Sequence, residues 1–356
     1  GKKILDGSFT AATFQVGANA GDNITIASLA DTTATNLSVV AYGENTVTVT
    51  ATAVADFDTA VPASAIAGIS WSSPFGSPSG PRTTPAAGVS RVVAAMRDPF
   101  PQVDGAGFDK LQAAGITVES GLMAGDARAL NRGYLSRQER GRPWVRVKLA
   151  TSLDGRTALD NGESKWISGE ASRHDVQHWR ARAGAVLTGA GTVLADDPSL
   201  TVRLGDDTPF LPPLRVVLDP GLATVARGRV REGDAPTLYI HAPDAKPPRG
   251  LTTQVASAPV RGGLFDLHAV LQLRAAREIN EVQIEAGATL AGAFMAAGLV
   301  DEILLYVAPV LLGENARPMF DGLGITTMAE RHHLRIVESR YIGHDVRLLL
   351  QPVHTG

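Results

Sequence analysis

The chain of 356 residues contains no cysteine, which excludes disulfides and thiolate metal ligands alike. Histidine is absent before His174 and arginine before Arg82, and aromatic residues make up only 5% of the chain. No apolar run reaches the roughly 18–20 residues of a membrane span, and no charged segment leads into an apolar one as a signal peptide would. The expectation is a cytoplasmic protein without a membrane partner. Neither sign of charge dominates: 33 Lys and Arg stand against 36 Asp and Glu, a formal net charge of −3 that offers no basic surface to nucleic acid. The eight histidines show no metal-ligand spacing, and no Ser-His-Asp or nucleophile-elbow word occurs. A metalloenzyme or hydrolase is therefore not expected. What the chain does have is a hydrophobic fraction of 44%, ordinary for a soluble protein with a core, and length for roughly two to three domains.

Three compositions follow one another. Residues 1–70 are rich in Ala, Thr, Val and Asn, and alternation such as Thr46-Val47-Thr48-Val49-Thr50 predicts half-exposed strands. Residues 71–87 are dense in Ser, Pro and Gly and read as linker. Beyond them, a strand over Val89–Met96, a helix over Phe108–Ala114, a strand over 116–118 and a helix over Asp126–Arg140 give a βαβα pattern. From Pro143 onward strands and helices alternate. Strands are expected at 144–150, 185–188, 214–218, 237–240, 282–285 and 303–308, helices at 172–183, 267–279 and 289–297, and a closing antiparallel pair at 334–341 and 345–350. The pattern implies an α/β fold with a mostly parallel sheet and helices on both faces. The division expected is 1–70, 71–141 and 142–356.

The block from Lys148 to Arg203 carries the chemistry. An apolar strand runs into a polar turn at Ser152 to Asp154, a helix carries Arg180, and a second apolar strand leads to Gly189-Ala190-Gly191-Thr192, an acidic pair and Arg203. Fixed cations and a glycine turn after buried strands suit a ligand that bears phosphate. Guanidinium groups at Arg180 and Arg203 can each bind phosphate through two parallel bonds. Lys148, flanked by Val147 and Leu149, points to the face opposite both if the strand alternates. It is either a snorkelling edge lysine or a cation beside a reacting group. Asp196 and Asp197 read as an N-cap or turn pair. A second signal lies at Glu285-Ala286-Gly287-Ala288-Thr289-Leu290-Ala291-Gly292, where a strand ends, a glycine turn follows and a helix begins. Backbone N–H groups at such a helix start can face a pyrophosphate. It lacks G-x-G-x-x-G, so a Rossmann reading is unsupported.

Several words resemble known families. Ile4-Leu5-Asp6-Gly7-Ser8-Phe9 with Phe14 to Ala20 resembles a flagellin segment from outside the filament core. Ala87 to Val93, Met96-Arg97-Asp98-Pro99 and Leu130-Asn131-Arg132-Gly133-Tyr134 resemble the end of the pyrimidine deaminase domain of bacterial riboflavin-biosynthesis proteins. That family's zinc site precedes this stretch and needs a His, two Cys and a Glu. With neither His nor Cys in that part of the chain, the expectation is a truncated remnant with no zinc and no deaminase activity.

Residues 142 to about 352 resemble the reductase domain of the RibD-type riboflavin-biosynthesis proteins. The resemblance implies a dihydrofolate-reductase-like fold and the NADPH-dependent reduction of 5-amino-6-(5-phosphoribosylamino)uracil to its ribitylamino product. It also implies a homodimer. It assigns substrate contacts to Ser164, Arg180, Leu200, Arg203 and Glu285. Cofactor contacts go to Ala150, Trp166, Thr192, Asp196 and to Gly287, Ala288, Thr289, Leu290, Ala291 and Gly292. Trp166 reads equally as a core aromatic. Asp219-Pro220-Gly221 stands where the family often has a Ser for the cofactor's 2′-phosphate, which weakens the preference for NADPH over NADH. Lys148, Asp196, Glu285 or water could bring the proton to the imine nitrogen. A related reductase acting on another pterin or pyrimidine, or a non-catalytic flagellin-like assembly protein with an enzyme-derived tail, are the alternatives.

Overall fold

The computed structural model describes residues 91–101, 103–205 and 209–353, together with three short strands nearer the N-terminus. These are β1 (Asn23–Ile26), β2 (Val47–Ala51) and β3 (Ser70–Trp71). β1 pairs with β2 in parallel and β2 with β3 antiparallel. The flagellin-like words and the proline-rich stretch at 72–87 lie outside the described residues. The chain divides into two compact units, residues 1–131 and 132–356.

In the first unit, β4 (Arg91–Ala94) and β5 (Thr117–Ser120) pair in parallel around helix α1 (Ala106–Ala113). This is the smallest βαβ crossover, held by buried Ala94, Leu111 and Ile116. The single helix expected over 126–140 is instead two. α2 (Ala124–Leu130) ends at Asn131, whose side-chain amide donates to the Ala127 carbonyl. An Asn that bonds its own preceding turn competes with helix continuation.

The second unit opens with α3 (Arg132–Arg140). It continues through β6 (Trp144–Ser152), β7 (Arg156–Ala158), α4 (Glu170–Arg182), β8 (Ala185–Gly189), α5 (Ala190–Asp196), β9 (Leu214–Leu218), β10 (Thr237–His241), β11 (Gln254–Ser257), β12 (Val260–Arg261), β13 (Leu264–Phe265), α6 (Leu267–Ala275), β14 (Glu281–Ile284), α7 (Ala288–Ala296), β15 (Glu302–Ala308), β16 (Arg317–Pro318), β17 (Leu334–Ile342) and β18 (Asp345–Pro352). Nine strands form one sheet in the order β11-β10-β9-β8-β14-β6-β15-β18-β17. From β11 to β15 every pairing is parallel, and the last hairpin runs antiparallel.

Alternation divides β6 between the two faces of the sheet. Val145, Val147 and Leu149 enter the main core with Ile284 and Ile303, under α6 and α7, through Leu271, Phe294 and their neighbours. Each such side chain contributes about 1.5–3 kcal/mol by burial. Arg146, Lys148 and Ala150 fall on the other face, which α4 and α5 cover with two smaller clusters around Trp179 and Val193. On α4, Val176 and Trp179 are buried, as their spacing predicts, and so is Ala183 just past its end. On that same sheet face, Arg146 is fully buried and bonds Glu302 at 2.6 Å and Glu281 at 2.9 Å. Arg132 adds a second cation to Glu302 at 2.8 Å. Gly133 explains the close approach of α3: a Cβ there would lie 2.6 Å from Glu281 Cγ.

One reading of the 189–197 stretch is corrected. Gly189-Ala190-Gly191-Thr192 is the start of helix α5 rather than an open turn, and Asp197 closes that helix at φ 44° instead of capping a new one. The Asp197 carboxylate accepts from the Arg229 backbone N–H at 2.7 Å.

Candidate active site

β6 lies between β14 and β15 in the middle of the sheet, so Lys148 is not an edge lysine. Ile284 is in register with Val147. The next residue along, Glu285, leaves the strand end beside Lys148. Arg180 reaches the same carboxylate from α4: its Nε donates to Oε1 at 2.6 Å and its Nη2 to Oε2 at 2.7 Å. Its Nη1 donates to the Thr201 carbonyl at 2.9 Å. Gln283 Nε2 also donates to Oε1, at 2.9 Å. Such a two-bond guanidinium–carboxylate pair is the strongest common ion-pair geometry.

The electrostatics follow from this packing. Burial acts to raise the Glu285 carboxyl, but the Arg180 charge and hydrogen bonds, with the Lys148 charge and Gln283, outweigh it and hold the group down at about 2. Burial lowers Lys148, the Glu285 charge opposes that, and Arg180 lowers it further. On its far side the Lys148 ammonium lies 6.0 Å from the centre of the Tyr306 ring, the outer limit of a cation–π contact. The Tyr306 hydroxyl donates to Asp175 at 2.6 Å, and Arg347 bonds the same carboxylate oxygen at 2.7 Å.

The turn after β6 is fixed separately. Ser152 Oγ donates to Asp154, whose carboxylate also accepts from Gly313 N at 2.8 Å and Leu312 N at 3.2 Å. The Ser152 bond is the main reason the Asp154 carboxyl sits at about 2. Asp154 is thus committed to tying two loops together.

The remaining predicted residues fall in distinct places. Leu200 has φ 51° and a side chain only 2% exposed, packed with the small core around Val193 and Tyr239. Its side chain belongs to that core, and its backbone is left-handed. Arg203 is exposed and its backbone N–H donates to Gln177 at 3.0 Å. Ser164, Thr192 and Asp196 are half-buried, as is Ala150. Trp166 is 70% exposed with the Arg173 guanidinium 4.6 Å from its ring centre. The core-aromatic reading of Trp166 is thereby excluded.

The glycine loop divides in packing. Gly287 is the N-cap of α7, with no side-chain cap, and a Cβ there would meet nothing within 4 Å. The first backbone N–H groups of a helix have no partner within it, so those of Ala288, Thr289 and Leu290 begin beside open space. A dinucleotide pyrophosphate fits that cradle by charge and room. Gly292 differs. It is buried, and a Cβ would lie 1.8 Å from the Asp321 carbonyl oxygen. Ala291 is buried in the main core. The side of the helix they occupy packs inward.

Asp219 is buried and caps the following turn, accepting from Ala223 N, Thr224 N and Thr224 Oγ1 at 2.7–2.9 Å. Among the described residues no group of three or more His, Cys, Asp or Glu could hold a metal ion. Gln283, Tyr306 and Asp175 are site-adjacent groups that the sequence reading passed over. The signal for Gln283 was present: two polar residues, two apart, on an otherwise apolar strand.

Residues 143–348 match the family described as RibD C-terminal domain. The riboflavin biosynthesis protein RibD of Escherichia coli K12 is 42% identical over 275 residues, covering 74% of this chain and 75% of that protein. Its counterpart in Mycobacterium tuberculosis is 40% identical over 267 residues, 74% and 70% of the two chains. Among solved structures, Acinetobacter baumannii RibD superposes with a TM-score of 0.68 at 40% identity, covering 76% of this chain and 75% of that one. A Thermotoga maritima diaminohydroxyphosphoribosylaminopyrimidine deaminase/5-amino-6-(5-phosphoribosylamino)uracil reductase gives a TM-score of 0.65 at 28% identity, covering 76% and 73%.

Proposed function

This chain belongs to the RibD family and carries its reductase domain, and from that premise we propose that it reduces 5-amino-6-(5-phosphoribosylamino)uracil to the ribitylamino product with NADPH. The enzyme is a reductase of riboflavin biosynthesis that uses a nicotinamide cofactor. The observation that carries the finer reading is the half-buried Lys148–Glu285–Arg180 cluster, separated by two residues from the N-terminus of α7.

The nicotinamide supplies a hydride for C1 of the open-chain ribose imine. Gly287 to Leu290 would hold its pyrophosphate, and the exposed Trp166 ring would offer a flat wall. Arg203 would meet the substrate phosphate. The Lys148–Glu285 pair would bring the proton to the imine nitrogen. Ser152 and Asp154 keep the β6 turn in place without entering the chemistry. The deaminase step is absent from this reading, because the part of the chain that resembles that domain offers no His or Cys for zinc. A homodimer is part of the same reading. The outer strand β17 supports it, since it leaves Ile336 and Tyr341 62% and 83% exposed at the free edge of the sheet.

The test is loss of reduced-cofactor absorbance in the presence of the phosphoribosylaminouracil, run with NADPH and with NADH, and with dihydrofolate as the competing substrate. Turnover of the aminouracil with NADPH is expected. Turnover of dihydrofolate alone would replace this reading with that of another reductase of the same fold.

A further inference from the structure

The histidines hold one exception to the absence of metal-ligand spacing. His174 and His178 stand one turn apart on α4, at the i and i+4 positions that are neighbours on a helix surface. Both are exposed, whereas Val176 and Trp179 of the same helix are buried. Among the described residues neither imidazole has a hydrogen-bond partner, so their ring nitrogens are open to a ligand.

The distance between the rings suits a shared ion. Their centres lie 5.1 Å apart, with the planes set at 68° rather than stacked. A tetrahedral ion held at about 2.0–2.1 Å by one nitrogen of each imidazole puts the two ring centres about 5 Å apart. Both side chains are exposed and can turn to aim a nitrogen at the same point. Gly205 passes close by, where a Cβ would lie 4.0 Å from His174 Nε2, and its lack of a side chain leaves that nitrogen room. Along the same stripe of α4, exposed Glu170 stands one turn before the pair and exposed Arg182 one turn after it. Their opposite charges leave little net field on an ion between them.

We propose that His174 and His178 form an exchangeable two-histidine site for a first-row transition-metal ion such as Zn²⁺ or Cu²⁺, with water completing the coordination. Imidazole selects these ions, while Mg²⁺ and Ca²⁺ take oxygen ligands. Among the described residues no third His, Cys, Asp or Glu joins the pair. The site therefore falls short of the three or four protein ligands of a catalytic or structural zinc centre, and its ion leaves readily to a chelator. It is separate from the zinc site of the deaminase domain, whose ligands this chain lacks, and it stands whether or not the reductase reading does.

The test uses the full chain, stripped with a chelator and titrated calorimetrically with Zn²⁺ at about pH 7.5, where free imidazole is neutral. One ion should bind per chain, and Mg²⁺ should not bind. His174→Gln and His178→Gln should each weaken the binding by about 10²-fold, because the second ring of a chelating pair binds intramolecularly. Both residues are exposed, so neither variant endangers the fold. A variant with both His332→Gln and His333→Gln should bind as the wild type does.

No binding up to millimolar Zn²⁺ overturns the proposal. So does binding that survives either single variant of α4, or that is lost with His332 and His333 instead. Two ions per chain, one removed by each α4 variant, would make the histidines independent sites and overturn it as well. Cu²⁺ supplies a spectroscopic count: pulsed EPR should detect two coordinated imidazoles in the wild type and fewer in either α4 variant, and an unchanged spectrum in both variants counts against the pair.

Discussion

Glu285 stands one residue beyond the partner of Val147 and therefore beside Lys148, with the Arg180 guanidinium bonded to both of its oxygens. The three charges come from β6, α4 and the end of β14. They define the site more sharply than any one of them does.

The first prediction concerns acid stability. The folded Glu285 carboxyl is held at about 2, against an ordinary value of 4.5. A depressed folded value stabilises fully above the unfolded one and is lost as pH falls toward the folded one. Glu285→Gln should therefore cost on the order of 3 kcal/mol at neutral pH. The difference from wild type should shrink between about pH 5 and 2. Urea unfolding at stepped pH measures it, and a gap that stays constant into acid would sink the assignment.

Two glycines of the α7 loop should behave oppositely. Gly287→Ala places its Cβ in open space and should change stability by no more than about 0.5 kcal/mol, while raising KM for NADPH. Gly292→Ala drives its Cβ into the Asp321 carbonyl, so α7 or the 321 segment must move, at about 1–3 kcal/mol or more. Thermal melts paired with cofactor titrations separate the two effects. Equal melting temperatures for the two variants would contradict the packing role of Gly292.

Arg146 tests the buried network. Arg146→Met leaves Glu302, whose side chain is fully buried, with Arg132 alone. Breaking such a pair costs about 3–5 kcal/mol, a drop in Tm on the order of 10 °C for a unit of this size. Adding Glu302→Leu should recover part of the loss, because removing both charges also removes the stranded anion. If the double variant melts lower than the single one, the network stabilises in some other way.

The fourth prediction is chemical. Purified protein should carry zinc well below one atom per chain and should not deaminate the pyrimidine precursor. Elemental analysis and an ammonia-release assay check both, and zinc near one per chain together with deamination would restore the missing activity.

Much of this was legible from residue patterns. The order of strands and helices from Pro143 follows from apolar periodicity, and the face on which Lys148 lies follows from Val147 and Leu149 alone. Helix α5 was missed because Gly189 and Gly191 are poor helix formers, and the buried Val193 that anchors it is a single residue. The partner of Arg180 was out of reach, since 105 residues separate it from Glu285 and no local rule links them. Gly292 resembled a ligand-binding glycine because close approach of another backbone and close approach of a phosphate require the same missing side chain. Leu200 is a substrate contact by resemblance alone, and its side chain packs in the core around Val193 and Tyr239.

The strand order sets a timetable for assembly. β14 sits between β6 and β8 although it follows both in the chain. Until residues 281–284 leave the ribosome, the two earlier strands share no neighbour, and the central slot of the sheet stays vacant. Parallel pairings across such long loops form slowly. The candidate site is consequently a late product of folding, and a nascent chain halted ahead of Glu285 carries Lys148 and Arg180 with no anion to gather them.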